Sequence, residues 1–140
     1  MQIRNLYLVF SVICLFVVTS CSNNIGNHDQ TIEVQKHAGD NHYEDLKVIT
    51  DKNKVLQVKK ILNDTNFENK KVEMSRSADY QFVFQFKNPK IGAKAVVYQM
   101  WISPNKDKVE IKAEDNQDAQ LAEKDTAAFM KIVTGEKLAE

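Results

Sequence analysis

Residues 80–86 read YQFVFQF, and this stretch decides the fold of the chain. Its aromatic residues, Tyr80, Phe82, Phe84 and Phe86, alternate with glutamine and valine and so repeat with a period of two. Side chains two positions apart along a β-strand lie on the same face of a sheet, which places the four rings together. The stretch therefore predicts a strand whose aromatic face packs into the core of a β-sheet.

The segments on either side of this stretch predict further strands. Residues 95–102, AVVYQMWI, are apolar on both faces and indicate a central strand. Residues 108–112 alternate between apolar and polar, which is typical of a strand with one exposed face. Shorter strands and loops complete the pattern, with strands at 31–35, 46–49 and near 72–74, and loops at 37–45, 87–92, 103–107 and 115–118.

Two amphipathic stretches predict α-helices. The first follows Thr50, a preferred N-cap residue, and has Asp51 in its first turn. The second runs over residues 123–133, and Gly135 is expected at the C′ position beyond its end. The apolar residues of the first helix are Val55, Leu56, Val58, Ile61 and Leu62, its polar face carries Lys54, Gln57, Lys59 and Lys60, and the apolar residues of the second are Leu121, Ala128, Phe129, Ile132 and Val133.

The order of these elements indicates the fold class. Strand, strand, helix, several strands and helix follow one another with short connections, and no internal repeat is present. We expect an α+β fold with a single antiparallel sheet of about five strands and two helices packed on one face. Residues 31–140 are predicted to form one globular domain.

The N-terminus has the features of a secretory signal peptide. Arg4 precedes the apolar run of residues 6–18, and thirteen residues make about 20 Å of helix, short of the roughly 30 Å hydrocarbon core of a bilayer. The polar residues 22–24 that follow include no Lys or Arg that would stop transfer. Residues 1–20 are therefore predicted to be a signal peptide and not a permanent membrane span.

The end of this segment, Val18-Thr19-Ser20-Cys21, resembles the lipobox of bacterial lipoproteins, which is an aliphatic residue, two small residues and a cysteine. The resemblance implies cleavage between Ser20 and Cys21 and transfer of a diacylglyceryl group to the Cys21 thiol. The two acyl chains would hold the protein in the cell membrane on its extracytoplasmic face. Residues 21–30 would then be a lipidated N-terminus and a flexible tether of about 17 Å. An ordinary signal peptide with a coincidental cysteine is the alternative.

The charges and cysteines exclude several classes of function. The chain has 19 basic and 19 acidic residues, and the signal peptide contains only Arg4 of these, so 18 basic residues remain against 19 acidic ones. A nucleic-acid-binding surface needs a strong basic excess, so we expect no nucleic acid partner. The near-neutral charge also gives no reason to expect electrostatic binding to membranes. Cys14 lies in the signal peptide and Cys21 is the lipid acceptor, which leaves no thiol for a disulfide, for catalysis or for a metal.

The histidines do not form a recognisable metal site. His28, His37 and His42 are separated by nine and five residues in predicted loops, whereas zinc ligands have closer, fixed spacings on rigid elements. Residues 115–118, DNQD, offer oxygen ligands but lack the remaining positions of a calcium loop. We expect no metal and no other cofactor, with a weak transition-metal site as the alternative.

The sequence also lacks the motifs of a hydrolase. Ser75, Ser77 and Ser103 do not lie in a Gly-x-Ser-x-Gly motif, and no histidine follows Tyr43. The four glycines do not cluster into a phosphate-binding loop. We therefore expect no enzymatic activity, with an envelope hydrolase as the residual alternative.

Two groups of side chains are candidates for an interaction surface. Tyr98 and Trp101 lie on opposite faces of one predicted strand, so one faces the core and the other would be an exposed recognition residue. Burial of Trp101 beneath a helix or an edge loop is the alternative. Lys54, Lys59 and Lys60 form the basic face of the first helix, which is either an interaction surface or an ordinary solvated face.

Three short motifs indicate a family. Asp79-Tyr80 opens the aromatic strand, Tyr98 and Trp101 lie on the next long strand, and residues 124–126, Lys-Asp-Thr, lie in the last helix. In these motifs, over residues 31–134, the chain resembles the small lipoproteins of low-GC Gram-positive bacteria that carry a YhfM-like domain. The family's serine before the last helix is replaced here by Ala122, which removes an N-cap. The resemblance implies an extracytoplasmic lipoprotein domain without an assigned activity and supplies no catalytic residues.

These observations together predict a function class. We expect a membrane-anchored extracytoplasmic lipoprotein that acts as a non-catalytic protein-interaction module of the cell envelope, with another envelope protein as its partner. A domain of this size with a filled core leaves little volume for a small ligand. A small-ligand or metal-binding envelope lipoprotein is the alternative.

Overall fold

The computed structural model of the protein describes residues 29–68, 73–92, 95–113 and 117–137. The strands are β1 (Gln30–Gly39), β2 (His42–Ile49), β3 (Tyr80–Phe86), β4 (Val97–Ile102), β5 (Val109–Ala113) and β6 (Gln117–Gln120), and the helices are α1 (Lys52–Asp64) and α2 (Glu123–Val133). The predicted signal peptide and most of the predicted tether, in residues 1–28, lie outside the described residues. Within the described ranges, no helix is long and apolar enough to cross a membrane.

The strands form one antiparallel sheet in the order β2-β1-β3-β4-β5-β6. The predicted α+β class is confirmed, with six strands where about five were expected. The additional strand is β6, which lies where the sequence predicts a polar loop. Its one buried side chain, Ala119, is opposite Ile111 of β5, and Asp118 pairs with Glu68 on the outer side. A strand with one small apolar residue among polar ones has no readable period.

The aromatic strand is placed as predicted. Tyr80 and Phe82 of β3 are 3% and 1% exposed, and the Phe82 ring contacts Phe129 of α2 with centroids 5.8 Å apart. Across the sheet, Phe82 is stacked on Tyr98 of β4, with ring centroids 5.1 Å apart. Burial of a side chain of this size stabilises the fold by about 1.5–3 kcal/mol. The period of two therefore identifies the centre of the core.

The predicted loop at residues 37–45 is wrong, because most of it belongs to a hairpin. β1 continues to Gly39 and β2 begins at His42, so only Asp40 and Asn41 form the turn. Both turn residues have positive φ, 45° and 58°, as in a type I′ turn, whose twist matches that of the two strands. The strands near this turn are polar, since only their alternate residues face the core, and a polar strand looks like a loop in the sequence.

Helix α1 begins one residue later than predicted. Asp51 is the N-cap in place of Thr50, and its carboxylate accepts hydrogen bonds from the backbone N–H groups of Asn53 and Lys54. Leu56, predicted to belong to the apolar stripe, is 42% exposed because it lies on the far side of the helix from the buried residues. The buried residues of α1 are Val55, Val58, Ile61 and Leu62.

Helix α2 has the bounds predicted for it, and Gly135 follows it with φ of +81°. Its buried stripe includes Thr126, which the apolar pattern does not indicate. The Thr126 hydroxyl donates to the Ala122 carbonyl at 2.9 Å, which satisfies the polar group and permits its burial. Ala122, the N-cap residue, makes no side-chain capping bond, as the replacement of a serine implies. The buried residues of α2 are Thr126, Phe129, Met130 and Val133.

Both helices cover the same face of the sheet, and they close one core. It is formed by alternate residues of the strands and by the helix stripes, among them Ile32, Val34, Val58, Phe82, Met100, Ile111, Phe129 and Met130. No helix of the described ranges lies on the opposite face, which we call the open face. Part of it is covered by residues 73–79, which we call the strap. The short strand expected near residues 72–74 is not present at Glu73 and Met74, and Val72 lies outside the described residues.

Candidate functional site

One row of the open face carries three valines and one exposed glutamate. Val48, Glu33, Val83 and Val97 are consecutive register partners on β2, β1, β3 and β4, so their side chains form a line across four strands. Val48 is 57% exposed and Val97 is 37% exposed. Large apolar side chains grouped on a surface indicate a site of protein interaction more strongly than the same residues scattered singly.

The neighbouring row is made of amides. Gln35, Gln81 and Gln99 are register partners on β1, β3 and β4. The Gln81 Nε2 group donates to Gln35 Oε1 at 2.9 Å, and Gln35 Nε2 donates to Asp45 Oδ1 at 2.7 Å. The bonds run in one direction and end at a carboxylate, which fixes the glutamine side chains flat across the sheet. The row continues over β5 at Lys112, the partner of Gln99.

The strap covers the third row. Trp101 lies beneath it at 7% exposure, and its indole Nε1 donates to the Arg76 carbonyl at 3.0 Å. The Tyr43 hydroxyl donates to the Ala78 carbonyl at 3.1 Å, and Ser77 bonds to the side chain of Asn41. Burial raises the pKa of the Tyr43 hydroxyl, and the Ala78 hydrogen bond opposes this effect.

An ion pair holds the end of the strap against β4. Arg76 Nη1 is 2.6 Å from Asp79 Oδ1, and Arg76 Nη2 donates to the Ile102 carbonyl at 2.7 Å. The second carboxylate oxygen of Asp79 accepts from the Ile102 backbone N–H at 2.7 Å. The hydrogen bond to Asp79 raises the pKa of the Arg76 guanidinium, which therefore remains positively charged. Strap and strand are therefore joined through both side-chain and backbone groups.

A cleft of about 730 Å³ lies between the strap and the open face. A second cleft, of about 410 Å³, lies nearer β6, and Met74 of the strap lines both. The first is lined by side chains with donors and acceptors, among them Asn41, Tyr43, Ser75, Gln99 and Lys112. These groups can bind a polar molecule.

The structure separates the predicted interaction residues. Tyr98 and Trp101 lie on opposite faces of β4, as predicted, but Trp101 is buried beneath the strap, which is the alternative that its sequence left open. Tyr98 is half-buried on the helix side, and burial raises the pKa of its hydroxyl. Neither residue is an exposed aromatic.

The basic helix face lies on the other side of the molecule from the open face. Lys59 of α1 is placed with its Nζ 5.7 Å from the centre of the Phe84 ring, and burial lowers its pKa. Lys60 forms an ion pair with Asp64, which raises the Lys60 pKa, and Lys54 is exposed. These lysines and Trp101 therefore do not belong to one surface.

The motif residues of the family resemblance have structural roles here. Asp79 and Trp101 come together at the strap, where each forms a hydrogen bond that fixes its path. Thr126 is buried and bonded within α2. Sequence reasoning missed Arg76 and the row containing Gln35 and Gln81; the signal for the row was the polar residue between each pair of apolar ones in β1 and β3.

The candidate ligands for metals are dispersed. Among the described residues, no group of three or more His, Cys, Asp or Glu could hold a metal ion. His42 is exposed, and His37 is half-buried beside Tyr43 with a buried Nε2 that has no partner. Ser103 donates to Asp107 within a turn. His28 and Asp115 lie outside the described residues.

The comparisons with known proteins identify a family. No curated protein and no solved structure matches the chain. The model of a protein family described as YhfM protein matches residues 26–139, which is most of the sequence and contains both helices and all six strands. The chain belongs to the YhfM protein family.

Proposed function

We propose that this protein is a lipid-anchored, extracytoplasmic member of its family and acts as a non-catalytic protein-interaction module of the cell envelope. The anchor is proposed from the lipobox-like sequence Val18–Cys21, with Cys21 as the acceptor of the diacylglyceryl group. Its partner is another envelope protein, and the docking surface is the open face of the sheet.

The observation that carries this proposal is the pair of exposed valines, Val48 and Val97, in the row beside the amide row. In a sheet with helices on one face, the second face is ordinarily polar and solvated. Here Val48 and Val97 are exposed, and the bonded glutamines of the neighbouring row offer fixed donors and acceptors. Apolar area with ordered polar groups around it is the usual composition of a protein–protein interface.

The size of the surface also favours a protein over a small ligand. A stable interface covers about 800 Å² on each partner, which a face of four strands can supply. The row runs across the surface of the sheet, because its members are successive register partners and not the wall of a pocket.

A photo-crosslinking amino acid at position 48, introduced into the full chain in cells, tests the docking surface. We expect one discrete adduct from position 48 and none from position 56, because Leu56 is similarly exposed but lies on α1. Val97→Lys should remove the adduct while leaving the melting temperature nearly unchanged. Adducts of equal yield from positions 48 and 56, or an adduct that survives Val97→Lys, would contradict the open face as the site.

The anchor is tested separately by mass spectrometry of the N-terminal peptide. We expect the mature chain to begin at Cys21 with a diacylglyceryl group, and Cys21→Ser to leave an uncut precursor. A mature chain that begins elsewhere, or an unmodified thiol at position 21, would overturn the anchor but not the docking surface.

A small polar ligand in the strap cleft is the second candidate function. The volume of about 730 Å³ and its polar lining favour it. A thermal-shift screen of metabolites and metal ions tests it, since a ligand at 100 times its Kd stabilises a protein by about 2.7 kcal/mol. A shift that Gln99→Ala abolishes would support this function, and the absence of any shift would exclude it.

A further inference from the structure

Three parts of the chain meet where the domain joins its N-terminal segment. The Asp29 carbonyl, just before β1, accepts from the Lys87 N–H at 3.0 Å, and its carboxylate lies 3.6 Å from Lys52 Nζ. The start of β1, the start of α1 and the connection after β3 therefore lie together. We call this the tether end, and the strands run from it towards the hairpin turn at Asp40.

The tether end is rich in lysine. Lys52, Lys54, Lys87 and Lys90 are all exposed. The carboxylates among the described residues of this end are Asp29, which pairs with Lys52, and Asp51, which caps α1. Lys54, Lys87 and Lys90 pair with no carboxylate in the part of the chain that the structure describes.

The opposite end of the strands is different, because acidic side chains lie among its cations. Arg76 pairs with Asp79, and Lys36 lies 3.6 Å from Glu136. The balanced charge of the whole chain therefore conceals a basic end.

The tether end is close to the proposed anchor, and this distance indicates that its basic surface meets the lipid headgroups. Asp29 is eight positions after Cys21 in the sequence, which corresponds to a mean distance of about 16 Å and at most about 28 Å when extended. The Debye length at physiological ionic strength is about 8 Å, so salt screens the attraction between these lysines and anionic headgroups unless this end is close to the membrane surface. The anchor keeps the local concentration of lipid high, and a few lysines then suffice to select an orientation.

We propose that the tether end rests on anionic phospholipid headgroups of the leaflet that holds the anchor. The proposal rests on the lipid anchor at Cys21 described above. The strands then stand away from the membrane, and the open face with Val48 and Val97 looks sideways, where a neighbouring envelope protein can reach it.

The test uses the full lipidated protein in vesicles of phosphatidylcholine with and without phosphatidylglycerol. Each lysine is labelled with an amine reagent and quantified by mass spectrometry. In anionic vesicles we expect the labelling rates of Lys87 and Lys90 to fall severalfold relative to Lys106 and Lys124, which are exposed and distant from the tether end, and high salt should remove the difference.

A charge-reversed pair provides the matched control. We expect Lys52 to be labelled more slowly in anionic vesicles as well. This slowing should be lost in the double variant Lys87→Glu/Lys90→Glu and kept in the control Lys106→Glu/Lys108→Glu. Protein that floats with the vesicles but labels equally at both ends would overturn the orientation alone. Protein that carries no lipid on Cys21 would overturn both the orientation and the anchor on which it rests.

Discussion

The indole N–H of Trp101 donates to the backbone carbonyl of Arg76 at 3.0 Å, and this bond joins the largest side chain of the open face to the strap above it. A tryptophan on this face would otherwise be exposed, since no helix covers it. The strap buries the ring to 7% exposure, and the ring in turn gives an irregular segment a hydrophobic contact. Each of the two therefore depends on the other.

Trp101→Phe should lower the free energy of unfolding by about 1–3 kcal/mol, because it leaves the Arg76 carbonyl without its partner beneath the strap. Denaturant unfolding measures the loss, and amide hydrogen exchange should show faster exchange in residues 73–79 than in β3. Tyr98→Phe is the matched control on the same strand and should change stability by a few tenths of a kcal/mol. Equal losses in the two variants would show that the indole bond contributes nothing.

The strongly periodic elements were predictable from the sequence. The alternation in β3 and the apolar stripe of α2 each identify an element and its buried face, because both patterns extend over two or more repeats. The opposite orientations of Tyr98 and Trp101 follow from the same alternation. What the pattern cannot reveal is whether another segment crosses the outer face of the strand.

The polar elements were not predictable from the sequence, because they lack such a periodic pattern. Near its turn the hairpin of β1 and β2 has few core residues, and β6 has one, so neither shows a period. The amide row requires the register of β1, β3 and β4, which are distant in the sequence, and the bulge after Val34 places Asp45 opposite Gln35. Long-range pairing, and not local preference, therefore forms the candidate site.

Stability at alkaline pH should report on Tyr80. This residue is 3% exposed, and its hydroxyl donates a hydrogen bond to Glu136 Oε1 at 2.8 Å. Burial and this hydrogen bond together raise the pKa of Tyr80 well above the ordinary value. In the unfolded chain, tyrosine ionises near pH 10. Above about pH 10 the unfolded chain loses a proton that the folded chain keeps, so the free energy of unfolding falls with pH by up to about 1.4 kcal/mol per unit.

Urea unfolding of the protein and of Tyr80→Phe from about pH 8 to about pH 11 measures this effect. At pH 8 the variant should be less stable by about 0.5–1.5 kcal/mol, because it lacks the bond to Glu136. As the pH rises, the difference should shrink and then reverse, since the variant has no hydroxyl to ionise. Parallel curves for the two proteins would contradict the assignment.

His37→Phe should stabilise the protein. Among the described residues, the buried Nε2 of His37 has no hydrogen-bond partner, which costs about 1–3 kcal/mol. The His37 ring makes an edge contact with Tyr43, with centroids 5.4 Å apart, that phenylalanine can keep. We expect a gain of about 1 kcal/mol in the free energy of unfolding at neutral pH. His42→Phe, at an exposed position of the same hairpin, should give no gain, and a loss of stability in His37→Phe would indicate that Nε2 has a partner after all.

The two helix starts predict opposite effects of capping mutations. Asp51 caps α1 through the Asn53 and Lys54 amides, whereas Ala122 has the extended backbone of an N-cap, φ −62° and ψ 141°, and no side-chain acceptor. Ala122→Ser should therefore raise the free energy of unfolding by about 0.5–2 kcal/mol, and Asp51→Ala should lower it by a similar amount.

Ala127→Ser is the control for the new hydroxyl, because Ala127 is exposed inside α2, where serine costs a few tenths of a kcal/mol. Thermal unfolding of the three variants orders them directly: Ala122→Ser above the parent, Ala127→Ser just below it, and Asp51→Ala lowest. If Ala122→Ser has the same lowered melting temperature as Ala127→Ser, the start of α2 is not held in the geometry that a serine cap needs. The alanine at position 122 would then not reduce the stability of the protein.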